Sequence, residues 1–186
     1  MDNINTAYNS SERFSEFSKK YFNYLSDIQK NINLNELDKF AEEFLRARKD
    51  GNTIFVAGNG GSAATATTMA NDIGFDIIKK TGTDKPFRAF ALTDNASVIT
   101  AIANDVGYEN IFINQLRIHY RKGDRLVVIS ASGNSKNVIL AAEWVKNKGG
   151  TVLGMLGFDG GELRKICDLS ILVSSLPGEY GPVEDM

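Results

Sequence analysis

A chain of 186 residues, 42% apolar and 24% charged, is long enough to bury one full core and has the composition of an ordinary soluble globule. Its net charge of −2 sets up no basic field that would recommend nucleic acid as a partner. The single cysteine, Cys167, excludes an internal disulfide framework and fits a reducing cytoplasm, and a single histidine, His119, excludes a histidine-rich metal site within one chain.

Residues 1–10 are polar and read as frayed. They lack the apolar segment of a signal peptide, and no apolar run approaches membrane-spanning length, so no membrane is expected as a partner. From Ser11 the residues Phe14, Phe17, Tyr21, Tyr24, Leu25 and Ile28 recur at helical spacing. Asn31–Asn35 interrupts, and Leu34, Leu37, Phe40, Ala41, Phe44 and Leu45 predict a second amphipathic helix. The pair packs either on the domain's own sheet or, through the first helix's aromatic stripe, on another subunit.

Ile54–Ala57 is a short β-rich apolar run, as for a buried parallel strand. Gly58-Asn59-Gly60-Gly61 breaks it, Ser62 follows as an N-cap candidate, and a helix rich in Ala and Thr begins. A helix start offers free N–H groups to an anion. Lys79–Lys85 reads as a polar loop and Arg88–Leu92 as a strand. Ser97–Ile102 reads as a short helix, and Glu109 to about Tyr120 as another. Arg125–Ile129 is the clearest strand. It runs into Ser130-Ala131-Ser132-Gly133-Asn134-Ser135, and a helix continues to about Lys148. Thr151–Leu156 is a strand, Gly160–Ile166 a short helix, Leu169–Val173 a last strand, and Ser174–Met186 a loop-like tail. Strands alternating with helices predict one three-layer α/β domain over 1–186. Its central parallel sheet has about five strands flanked by helices, Rossmann-like, with an N-terminal helical pair.

Three serines in six residues after a buried strand point to phosphate, because hydroxyls and backbone N–H groups bind it without a lysine. The glycine loop is neither a P-loop, lacking GK[ST], nor a dinucleotide fingerprint, lacking the third glycine. Two hydroxyl-rich loops without an adenine slot favour a sugar phosphate over a nucleotide.

Gly58–Ser62, Asn104-Asp105-Val106-Gly107-Tyr108, Ile129–Ser135 and Gly157-Phe158-Asp159-Gly160-Gly161 occur in this order in sugar isomerase (SIS) domains. The chain resembles most closely the bacterial phosphoheptose isomerases, from its N-terminal helices to Glu184. The resemblance implies interconversion of sedoheptulose 7-phosphate and D-glycero-D-manno-heptose 7-phosphate, feeding heptose synthesis for lipopolysaccharide or capsule. It implies that Ser130, Ser132 and Ser135, with Ala131 between them, hold the phosphate. Asn59, Gly60, Gly61 and Ser62, with Asn104 and Asp105, then meet the sugar. It implies a homotetramer with sites at subunit interfaces.

Aldose–ketose isomerisation needs a base and an acid near neutral pH. Asp72 stands where the family has its glutamate, and Glu184 where it has a glutamine that helps bind metal and substrate. These two are the catalytic candidates and the candidate oxygen ligands for zinc. Thr68 replaces the family's zinc-liganding histidine, and Asp76 replaces an arginine. The family's catalytic histidine lies on a final helix beyond the position of Met186, and His119 is no substitute for it. Pro182–Met186 reads as the first turn of that helix, so the intact polypeptide is expected to exceed 20.4 kDa. The departures leave a second reading open, a non-catalytic SIS module that binds a sugar phosphate as a signal or docks a replication-initiator protein. An amino-sugar phosphate isomerase has the same loops but normally carries other domains.

Overall fold

The computed structural model describes residues 2–185. Five apolar segments form one parallel sheet: β1 (Thr53–Gly58), β2 (Arg88–Ala91), β3 (Arg125–Ser130), β4 (Thr151–Gly157) and β5 (Leu169–Val173). Their order in space is β2-β1-β3-β4-β5, and every neighbouring pair is parallel. The inner strands are buried on both faces, which is why they read as continuous apolar runs rather than alternating ones.

Helices close both faces. On one side α3 (Leu34–Asp50) and α4 (Gly61–Asn71) bury Phe40, Ala47 and Ala66 against Ile54, Val56, Val127 and Leu153. On the other, α6 (Ala96–Val106), α7 (Ile111–His119), α8 (Lys136–Asn147) and α9 (Leu163–Ile166) lie over the sheet. There Phe112, Leu116, Val138 and Leu163 pack with Phe55, Leu126 and Val128. The helix α2 (Phe14–Lys30) contributes only Ile28 to the core and leaves Phe14 76% exposed. The two predicted N-terminal helices therefore differ. The second covers this chain's own sheet and the first does not.

Several boundaries move. Residues 1–10 are not frayed where they are described: Asp2 caps α1 (Asn3–Asn9) by accepting the N–H of Asn5 at 2.7 Å, a local bond that polar composition hides. Met1 and Met186 lie outside the described residues. The helix after the glycine loop runs through a π-helical turn, Asp72–Asp76, into α5 (Ile77–Thr81), so the polar loop begins at Gly82. The predicted helix from Glu109 divides into a 3₁₀ turn, Tyr108–Asn110, and α7. The tail is not all loop, since α10 spans Tyr180–Glu184.

Strand order reverses between β1 and β3, which are sequentially separated by β2 but lie side by side. Ligands bind beyond the carboxyl ends of the strands at such a switch point. Gly58 pairs with Ile129 there, so the glycine loop and the serine loop leave the sheet as immediate neighbours.

Candidate active site

The serine loop is built by its own backbone. Gly133 adopts φ +65°, where a Cβ would lie 1.9 Å from the Gly160 carbonyl oxygen. Its own carbonyl accepts the N–H of Leu163 at 3.0 Å. Ser130, buried at 6% exposure, accepts the N–H of Gly133 at 3.1 Å. Ser132 accepts that of Asn134 at 3.3 Å. The Asn134 side chain accepts the N–H of Glu162 at 3.0 Å, so the Gly160–Gly161 segment backs the loop. Ala131 lies against Gly157, where a Cβ would come 2.8 Å from the Ala131 carbonyl oxygen. Ser135 is the N-cap of α8, yet its hydroxyl makes no capping bond.

The glycine loop is built differently. Ser62 is not the N-cap. Gly60, at φ +55°, turns the chain into the helix two residues earlier, and α4 starts at Gly61 with no side-chain cap. The helices α1, α3 and α6 are closed by Asp2, Asn33 and Asn95. At the switch point the N-cap residues of α4 and α8 make no capping bond, and an oxygen-rich ligand there would meet the positive ends of both dipoles. Asn59 is held from the side by two residues that the sequence reading did not single out, Asn137 and Tyr108. Asn59 and Asn137 exchange two amide hydrogen bonds, at 2.9 and 2.8 Å. Tyr108 donates its hydroxyl to Asn59 Oδ1 at 3.0 Å. A signal for Asn137 exists in the sequence. It is an amide in the first turn of a helix otherwise apolar on its inner face, and it is almost wholly buried.

Glu184 comes to the same place. A Cβ at Gly61 would sit 3.0 Å from Glu184 Oε1, so this carboxylate lies over the start of α4. The segment bearing it is anchored by Glu179, which is buried. Glu179 accepts the N–H of Asn3 at 2.6 Å, the hydroxyl of Tyr24 at 2.5 Å and the N–H of Leu176 at 3.1 Å. Tyr21 donates to Asp185 on the same segment.

Other sequence candidates stand apart. Asn104 donates to Asp105 at 2.9 Å, both are exposed, and neither bonds to either loop. Their motif reaches the site through Tyr108 instead. Asp72 is exposed and bonds only Asn71, at 3.2 Å. Eleven residues of helix from Gly61 put it about 16 Å along the axis. It opens the π-helical turn, a local widening frequent at functional sites. Among the described residues no three His, Cys, Asp or Glu side chains gather closely enough to hold a metal ion. Asp72 and Glu184 are therefore not gathered into a zinc site within one chain. His119 packs on Phe90 at 5.7 Å and lines a cleft of about 330 Å³ with Thr53, Arg88 and Arg121. That cleft lies at the amino ends of β1 and β2, away from the two loops.

A SIS domain family model matches residues 16–157. The chain belongs to the SIS domain family. Within it, the chain is similar to a phosphoheptose isomerase of Aneurinibacillus thermoaerophilus, 40% identical over 162 residues, 81% of this chain and 80% of that protein. It is 42% identical over 150 residues to phosphoheptose isomerase 2 of Campylobacter jejuni, 80% of this chain and 73% of that protein. The structure of phosphoheptose isomerase from Neisseria gonorrhoeae superimposes with a TM-score of 0.78 at 29% identity, covering 93% of this chain and 91% of that one. The two loops and the C-terminal segment carrying Glu184 lie together beyond the carboxyl ends of β1 and β3.

Proposed function

We propose that this SIS domain protein is a phosphoheptose isomerase, interconverting sedoheptulose 7-phosphate and D-glycero-D-manno-heptose 7-phosphate in the cytoplasm for surface-polysaccharide synthesis. The observation that carries this reading is the 40% identity to a phosphoheptose isomerase over about four fifths of both chains. In the proposed mechanism the 7-phosphate lies on Ser130, Ser132 and Ser135 and the free N–H groups of α8, with the sugar running toward Asn59–Ser62. A carboxylate base removes a proton from C1 of the ketose. The C1–H electron pair forms the C1=C2 double bond as the carbonyl pair moves onto the C2 oxygen, which takes up a proton. The C1 hydroxyl then gives up its proton, its electron pair forms the C1=O bond, and the C1=C2 pair takes a proton at C2.

Glu184 supplies a carboxylate beside the glycine loop of its own chain. Asp72 stands too far along α4 to serve that crevice, so in this reading it serves the site of a neighbouring subunit. The exposed aromatics of α2, Phe14 and Phe22, support assembly through that helix into a homotetramer.

The test is direct. The folded protein is incubated with sedoheptulose 7-phosphate and the aldose is followed, with Asp72→Asn and Glu184→Gln alongside. Turnover that falls at least about a hundredfold in both variants supports the assignment. A folded, assembled protein without turnover rejects it.

A further inference from the structure

The hydrogen-bond polarity of the glycine loop follows from one backbone donor. The N–H of Val138 can only donate; it is shared between the Ser135 carbonyl, at 3.1 Å, and Asn137 Oδ1, at 3.0 Å, and an amide nitrogen in the latter place would meet it donor against donor. That fixes which end of the Asn137 amide is oxygen. Asn137 Nδ2 then donates to Asn59 Oδ1 at 2.8 Å, and Asn59 Nδ2 donates back to Asn137 Oδ1 at 2.9 Å. Tyr108 adds a second donor to Asn59 Oδ1 at 3.0 Å. An amide oxygen has two lone pairs and an amide nitrogen two hydrogens. Both lone pairs of Asn59 are engaged and one hydrogen is engaged. A single N–H is left for a ligand. Asn137 is 2% exposed, so the pair is not open to exchange with water on that side. A freely turning asparagine would offer either edge to a sugar, whereas this one offers only a donor.

We propose that Asn137 and Tyr108 are positioning residues that hold Asn59 as a one-way donor. The substrate oxygen facing Asn59 is then an obligate acceptor, the ketose carbonyl oxygen that becomes the enediolate oxygen. This rests on the isomerase reading above and adds which substrate atom the glycine loop recognises. When the base takes the C1 proton, the carbonyl π pair moves to that oxygen and its negative charge grows. A fixed N–H gains strength with that charge and needs no reorientation at the moment of reaction.

Two variants separate polarity from packing. Asn137→Asp keeps the shape and the acceptor for Val138, but replaces the donor to Asn59 with an oxygen that repels it. Tyr108→Phe removes one hydroxyl at a position 55% exposed, where folding is not at risk. Each is assayed for kcat and KM with sedoheptulose 7-phosphate. Each is also titrated with two unreactive probes, a phosphorylated hydroxamate that mimics the enediolate and the alditol phosphate made by reducing the ketose. For Asn137→Asp we expect kcat to fall roughly a hundredfold with KM within about threefold, the size seen for losing one preorganised oxyanion donor. Hydroxamate affinity should fall in parallel while alditol phosphate affinity holds. Tyr108→Phe should show the same pattern at roughly a tenth of the size, and it carries the test alone if Asn137→Asp does not fold. Folded variants that keep the wild-type preference for hydroxamate over alditol phosphate overturn the proposal, as does an equal loss for both probes. A wild-type protein that binds both probes but does not turn over the ketose overturns the isomerase reading instead, and the probe preference still decides the role of Asn137.

Discussion

The two loops at the switch point leave adjacent parallel strands and each opens a helix, yet they are held in opposite ways. The serine loop is fixed by its own backbone and short side chains: Gly133 lies against Gly160 and bonds Leu163, and Ser130 and Ser132 accept N–H groups of the loop itself. The glycine loop is held by side chains from far away in sequence, Tyr108 and Asn137, and Glu184 lies over the helix start behind it. The phosphate end of the crevice is therefore a local, stiff structure. The sugar end is an assembly of parts distant in sequence.

The strongest way to break this comparison is at Gly133. Alanine there combines a left-handed backbone with a Cβ placed 1.9 Å from a carbonyl oxygen that cannot retreat. Strain and overpacking together should cost about 3 kcal/mol or more, read as a lower urea midpoint, and phosphate binding should be lost with it. An unchanged midpoint would mean that the loop is far softer than its bonds imply.

Gly61→Ala is the counterpart in the other loop. Its backbone is ordinary helix, and the added Cβ meets only the far end of Glu184, 3.0 Å away. Alanine favours helix over glycine by up to about 1 kcal/mol, so stability should hold or rise. Turnover should fall roughly tenfold to a hundredfold as the carboxylate is displaced by a fraction of an ångström. A variant that is both stable and fully active would remove Glu184 from the proposed chemistry.

This contrast also explains what the sequence could reveal. The strands, their parallel order and the serine loop were legible because each rests on neighbours in sequence: an apolar run, a glycine that tolerates φ +65°, a helix start. The N-cap at Gly60, two residues before the expected Ser62, was not. A glycine cap leaves no side-chain signature. Tyr108 and Asn137 were missed for a stronger reason. Their roles exist only once the 3₁₀ turn, α8 and β1 meet, and nothing near either residue announces Asn59. Asn104 and Asp105, which do carry a family signature, bond each other and face outward. The π-helical turn at Asp72 was equally hidden, since Asp72–Asp76 has the composition of ordinary helix.

A smaller effect is expected within the serine loop. Ser135 caps nothing, so its loss leaves no orphaned donor in the free protein. Ser135→Ala should keep its melting temperature while KM for the sugar phosphate rises roughly tenfold or more, the usual worth of one hydrogen bond to a charged group. Ser132→Ala should raise KM and also lower the melting temperature, because its hydroxyl also accepts the N–H of Asn134 at 3.3 Å. Equal behaviour of the two variants would mean that the loop's internal bond to Ser132 contributes nothing to its stiffness.

The finest test concerns the tether of α10, which hangs on the phenols of Tyr21 and Tyr24. Burial, and then hydrogen bonds to Asp185 and Glu179, push the phenols of Tyr21 and Tyr24 up from 10.0 to about 12. A folded-state pKa above the unfolded one means that the stability carried by the protonated phenol is whole below pH 10. It is lost as pH rises through about 12. Tyr24→Phe removes the donor to buried Glu179 and should cost about 1 kcal/mol at pH 9, measured as the difference in urea midpoint from the parent. That difference should shrink between pH 10 and pH 12, because over that range the phenol gives up its proton in the unfolded chain while the folded one, held beside a carboxylate, keeps it. Comparing parent and variant at each pH cancels the titration of the lysines, which both share. A gap that stays constant through pH 12 would show that the Tyr24 hydroxyl does not hold the segment that carries Glu184.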